Sequence, residues 1–147
     1  AQMNRATSII EERRALASTY NKSFQEIDWL RTPKIKKGYS HGFQSYACLF
    51  RPSEVEKAIS NNDFKTLEEI HNDRNEWMEF LQNKGISTRP STHAVHMLSY
   101  YRKNYNIKPK DFPYSFAANN CSISLPLFNG MTREEQNYVI DTVKKGG

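Results

Sequence analysis

The sequence predicts an α+β fold: a small sheet of about three strands, covered by helices on one side and entered through a long N-terminal helix. Three observations carry this. Apolar residues recur at helical spacing from the first residues onward. Three short segments, each stopped by a proline, are rich in apolar side chains. Between them stand repeated Ser/Thr/Asp-x-x-Glu signatures of helix starts.

The first helix runs to about Phe24, with Met3, Ala6, Ile9, Ile10, Arg13, Leu16, Ala17, Tyr20 and Phe24 on one face. No Ser, Thr, Asp or Asn stands before it as an N-cap. The expectation is a cut piece that starts inside or just before a long helix of a larger protein. IDWLRTPKIKKGYSHG then reads as an irregular connection, broken by Pro33, Gly38 and Gly42. QSYACLFR (44–51) is expected to be a buried strand, stopped by Pro52.

Ser53-x-x-Glu56, Thr66-x-x-Glu69 and Asp73-x-x-Glu76 each place a side-chain oxygen at an N-cap and a carboxylate at N3. Thr66 and Asp73 compete as starts of one helix, whose Leu67, Ile70, Trp77 and Leu81 share a face and whose end is Gly85 as a left-handed cap. ISTRP (86–90) reads as a second strand. Asp111 and Pro113 resemble the entry to a short helix. CSISL (121–125) alternates cleanly, with Cys121, Ile123 and Leu125 on one face. Pro126 and Asn129-Gly130 turn the chain, and Thr132-x-x-Glu135 caps a last helix carrying Tyr138, Val139 and Val143. No internal repeat and no low-complexity tract interrupts this order.

At 147 residues the chain fits one domain, 1–147, able to bury a core without disulfide or metal staples. Aromatics make up 12% of it, which argues against disorder. The net charge of +5 is uneven: 1–50 carries eight Lys/Arg against four Asp/Glu, 51–100 six against eight, and 101–147 seven against four. Such an excess steers anions, phosphorylated ligands or nucleic acid, although a solvated mixed surface is the plainer account. Cys48 and Cys121 fall in apolar runs and read as buried free thiols of a reducing compartment. Neither a secretory signal nor an apolar run of about 18 residues occurs, so a cytoplasmic location is expected.

The stretch GISTRPSTHAVHMLSYYR (85–102) gathers the candidate site residues. His93 and His96 at i,i+3 would share a helix face, but a metal needs three or four ligands and none stands at helpful spacing. Ser91 and Ser99 lack a G-x-S-x-G elbow, and no G-x-G-x-x-G or Walker loop is present. Arg89 sits at a strand end before the Pro90 loop. There a guanidinium either reads a carboxylate or phosphate bidentately or makes a surface ion pair. Tyr100 and Tyr101 are expected to pack rather than stack on a ligand, and RNA-binding aromatic motifs are missing.

Several segments together resemble the DegT/DnrJ/StrS sugar aminotransferases, pyridoxal-phosphate (PLP) enzymes of fold type I. AQMNRA looks like the point where that family's long helix leaves the large domain. HGFQSYACLFR resembles its His-x-x-Gln-Ser-Tyr strand, and GISTRPSTHAVHM the stretch after its Gly-Ile-x-Thr strand. KPKDFPYSFAANNCSISLPLFNGMTREEQNYVIDTV carries Asp-Phe-Pro, Leu-Pro-Leu-Phe and Met-Thr-x-Glu-Glu in the family's order and spacing. Only 52–66 stands outside the resemblance.

The resemblance implies the small C-terminal domain of such an enzyme. The family's Schiff-base lysine, its pyridinium-pairing Asp and most of its phosphate site belong to the large domain, and no Ser-x-x-x-x-Lys followed by a glycine-rich run occurs here. The piece alone is therefore expected to be inactive and to bind no cofactor, with no catalytic residue of its own. The full-length enzyme would use PLP and glutamate to aminate a nucleotide-linked keto sugar, as a homodimer with no nucleic-acid or membrane partner. His96 aligns with the substrate-facing histidine of the family's Pro-Leu-His stretch, and Arg89 is a candidate phosphate or sugar contact. Many members carry His-Tyr where this chain has Ser91-Thr92, which leaves the sugar open. Two rival readings stand beside this one: a non-catalytic regulatory relative, or a free-standing basic module for nucleic acid or another anion.

Overall fold

In the computed structural model, which describes residues 3–146, a 3-10 turn at Met3–Arg5 leads into helix α1 (Ala6–Ser23). Arg5 stands at its N-cap without a side-chain bond, in keeping with the missing cap residue. The apolar stripe enters the core only in its second half. Ala17, Tyr20 and the C-cap residue Phe24 are buried, whereas Met3 is 83% exposed.

Three short antiparallel strands form one sheet in the order β1-β2-β3: β1 (Leu30–Arg31), β2 (Tyr46–Phe50) and β3 (Ser122–Leu125). Leu30 lies opposite Phe50, Cys48 opposite Ile123 and Tyr46 opposite Leu125, so these six side chains share one face. All six are buried, and the helices pack there. Tyr20 meets Tyr46 at 4.9 Å between ring centroids, and Phe50 stacks on Trp77 at 5.6 Å. The buried Tyr46 hydroxyl donates to Asn21 Oδ1 at 2.7 Å.

The sheet differs from the expected one at both edges. β1 lies in the stretch read as irregular; two residues are too few for a periodic signal, and pairing with β2 creates the strand. ISTRP contributes only a single bridge, Arg89 to Ser124. β2 stops at Phe50 because Arg51 takes a left-handed φ of 48°, held by ion pairs to Glu54 and Asp73. Cys121 closes a helix rather than opening β3, yet its side chain stays buried on the core side.

Helix α2 (Pro52–Ser60) starts with Pro52 in its first turn, so Ser53 lies inside it and does not cap. Helix α3 (Phe64–Asn83) starts before both expected caps: Asp63 is the N-cap and accepts the Thr66 N–H at 3.0 Å. Thr66 and Asp73 are interior residues of one long helix. Its end follows expectation, with Gly85 at φ 75°. The N–H groups of Gly85 and Ile86 donate to the Gln82 and Leu81 carbonyls, both at 2.9 Å, in a Schellman motif. Helices α4 (Ser99–Tyr105) and α5 (Pro113–Cys121) follow, and α6 (Arg133–Lys145) carries the expected capping box between Thr132 and Glu135.

Candidate functional site

Beyond the Schellman turn the chain runs back beside β3. Arg89 N–H donates to the Ser124 carbonyl at 3.3 Å, and Ser124 N–H to the Arg89 carbonyl at 2.7 Å. Ser124 Oγ also donates to Ser91 Oγ at 3.0 Å. On the Gly85 side of this isolated bridge no further backbone pair joins the two segments among the described residues. Between Ile86 and Leu127 lies an open groove of about 680 Å³, lined also by Gln44, Arg89 and Tyr138. Arg89 is exposed and, among the described residues, makes no ion pair.

His96 is placed differently. It belongs to a 3-10 turn, Val95–Met97, that the Ala94 N–H pins to Asn119 Oδ1 of α5 at 3.0 Å. The imidazole is 8% exposed and lies 5.1 Å from the Phe112 ring at an angle of 49°. Its Nε2 is buried and has no hydrogen-bond partner among the described residues. His96 does not line the groove that holds Arg89, so the two candidates occupy separate places. His93 is exposed, precedes the turn, and shares no helix face with His96.

Tyr100 and Tyr101 pack on neighbouring rings and not into the core. They are 63% and 37% exposed, and α4 buries none of its residues. The two rings meet each other edge-on at 5.2 Å, and Tyr101 stacks on Tyr105 at 6.2 Å. Phe112 and Asn119, which cover and brace His96, carried no signal of that role: each contact depends on α5 folding beneath the 3-10 turn.

Cys48 and Cys121 are free and buried. Burial pushes the Cys48 thiol far up and the Cys121 thiol up to about 12, so neither supplies a thiolate nucleophile near neutral pH. The lysines are equally uninformative as Schiff-base donors, since every one among the described residues is exposed. Ser60 and Lys65 do stand at Ser-x-x-x-x-Lys spacing, but Lys65 lies on the surface of α3, 3.4 Å from Glu69. A Schiff-base lysine needs desolvation or a cationic neighbour to lower its pKa.

The sequence pattern of the DegT/DnrJ/EryC1/StrS aminotransferase family matches residues 1–144. The spore coat polysaccharide biosynthesis protein SpsC of Bacillus subtilis is 25% identical over 144 residues, 97% of this chain and 33% of its own. GDP-perosamine synthase of Escherichia coli O157:H7 is 23% identical over 99% of this chain and 33% of its own. Among solved structures, Helicobacter pylori PseC, an aminotransferase involved in the biosynthesis of pseudoaminic acid, superposes with a TM-score of 0.78. It is 18% identical and covers 99% of this chain and 34% of its own. The chain thus spans about a third of the length of the relatives it matches.

Proposed function

Given that the chain belongs to the DegT/DnrJ/EryC1/StrS aminotransferase family, we propose that it is the small C-terminal domain of a PLP-dependent enzyme acting on nucleotide-linked keto sugars. In this reading the other two thirds of the protein hold PLP, which supplies the electron sink for amino transfer. Glutamate is the amino donor, the intact enzyme is a cytoplasmic homodimer, and the 147-residue piece alone is inactive. The relatives support a sugar substrate: one is named for spore coat polysaccharide biosynthesis, another for GDP-perosamine synthesis.

The observation that carries the reading is the family match over residues 1–144; within the chain, Nε2 of His96 is buried without a partner among the described residues, as are Arg74 Nε and Trp77 Nε1. A buried polar atom without a partner costs about 1–3 kcal/mol, and native structures keep few of them. Here the imidazole lies 5.1 Å from the ring of Phe112, which is 51% exposed. A sugar hydroxyl that displaces the ring gives Nε2 the partner it lacks. Arg89 then contacts the anionic or sugar part of the substrate from the groove beside β3.

The test is the absorbance of the full-length protein. A yellow enzyme that bleaches on addition of glutamate, and is re-coloured by a keto sugar nucleotide, supports the reading. A full-length protein that neither binds PLP nor responds to glutamate replaces it with the non-catalytic relative.

A further inference from the structure

A second pocket lies away from both His96 and the Arg89 groove, between the middle of α1 and the loop before β2. Arg14, Ser18 and Asn21, spaced i, i+4 and i+7, form its helical wall, and Ser40 and His41 close it from the loop. Its volume is about 370 Å³, and no carboxylate lines it. Arg14 Nε donates to the His41 carbonyl at 2.9 Å, which ties the two walls together.

The hydrogen bonds that build the pocket leave it rich in donors. The Phe43 N–H donates to His41 Nδ1 at 3.0 Å, which puts the imidazole proton on Nε2. Asn21 Oδ1 is taken by the Tyr46 hydroxyl, so the amide has only its NH₂ left to offer. Among the described residues, Arg14 Nη1 and Nη2, His41 Nε2 and the Ser18 and Ser40 hydroxyls take part in no hydrogen bond.

Phe43 holds this arrangement in a backbone conformation that a residue with a Cβ rarely adopts, at φ 46°. Its ring is buried and meets the His41 ring edge-on at 4.7 Å. Lys34, Lys36 and Lys37, exposed on the same loop, make no ion pair among the described residues.

We propose that this pocket is a phosphoryl-binding site, in which Arg14, His41 and the Asn21 amide donate to a phosphate or diphosphate. Guanidinium and N–H donors in a concave, acid-free wall suit that ligand's charge and its oxygen count. The three loop lysines add long-range attraction. The site rests on its own geometry and not on the aminotransferase reading. The phosphoryl group belongs either to a nucleotide-linked ligand or to free inorganic phosphate.

Titration of the 147-residue chain with inorganic phosphate, inorganic diphosphate and uridine diphosphate tests it, read by calorimetry and by the His41 ring nitrogen signals. Saturable binding is expected, with the Nε2 signal moving and Nδ1 nearly still. Arg14→Gln should weaken diphosphate at least tenfold. Ser18→Asp, an exposed change that puts a carboxylate into the pocket one turn from Arg14, should abolish binding while the melting curve is kept. Uridine diphosphate binding at least tenfold tighter than inorganic diphosphate supports the site with a nucleotide-linked ligand, and equal affinities support it with a free phosphoryl group. Absence of saturable binding, or affinities unchanged in both variants, overturns the site and leaves the absorbance test of the enzyme untouched.

Discussion

The guanidinium of Arg74 is held by His71: Arg74 Nη2 lies 2.8 Å from His71 Nδ1, and Nη1 donates to the Ser122 carbonyl at 3.0 Å. Arg74 is 1% exposed and has no carboxylate partner among the described residues. A guanidinium only donates, so Nδ1 is the acceptor and the His71 proton sits on Nε2. The Asn75 side-chain amide lies 3.0 Å from Nε2, and presenting its oxygen there gives that proton an acceptor. The cation lies at the C-terminal end of α5, where unpaired carbonyls favour positive charge, while burial pulls its pKa down.

From this follows the first prediction. Arg74→Met keeps much of the volume but orphans the Ser122 carbonyl, at a cost of about 1–3 kcal/mol, while His71 Nδ1, 3.2 Å from the Asn120 carbonyl, can still find a partner there as a donor. Arg74→Ala adds a cavity and should cost about 1–2 kcal/mol more. Urea midpoints of the two variants check the order; equal stability of both with the parent chain would show that the buried contact contributes nothing.

Alkaline pH should destabilise the fold through buried acids. Burial raises the pKa of Cys48, Cys121, Tyr20 and Tyr46. Unfolded thiols ionise near ~8.5 and phenols near ~10. Below those values both states keep their protons and stability is complete. As pH rises through them the unfolded chain releases protons that the folded chain retains, and stability falls by up to about 1.4 kcal/mol per pH unit for each group. Unfolding curves at several values above neutrality should show the decline, and a Cys48→Ala/Cys121→Ala variant should delay its onset toward the phenol range.

The elements legible in the sequence were those set by local chemistry. Thr132 with Glu135, Gly85 after α3, and Pro113 opening α5 all act within a few residues of themselves. The missed features were set by partners far along the chain. Thr66 and Asp73 offered cap chemistry, yet Asp63 takes the cap and accepts the Thr66 N–H. β1 exists because Leu30 meets Phe50, and Arg14 meets His41 across 27 positions. For the site, the resemblance pointed to His96, but its burial under Phe112 and its separation from Arg89 arise only in the folded chain.

Gly85 offers a local test of that distinction. At φ 75° an added Cβ meets nothing within 4 Å, so only the backbone opposes a side chain. Gly85→Ala should therefore cost about 1–2 kcal/mol, the left-handed penalty alone. For a chain of this size that corresponds to a fall in Tm of a few degrees, roughly 2–4 °C per kcal/mol. A larger loss would mean that the turn also positions the Arg89 segment, which a change in the Arg89–Ser124 amide exchange would reveal.

The last prediction concerns access to His96. In the 147-residue chain diethyl pyrocarbonate should modify exposed His93 readily and His96 slowly, because Nε2 is buried under Phe112. Phe112→Ala removes the covering ring and should speed modification of His96 without changing His93. In the full-length enzyme, His96→Ala should lower kcat/KM for the sugar by roughly 5- to 150-fold, the equivalent of one lost hydrogen bond of about 1–3 kcal/mol. The cofactor absorbance and its bleaching by glutamate should stay intact, because no residue of this segment holds PLP in the proposed enzyme. Unchanged sugar kinetics in that variant would remove His96 from the substrate pocket. Loss of the cofactor signal would instead place the histidine against the PLP site.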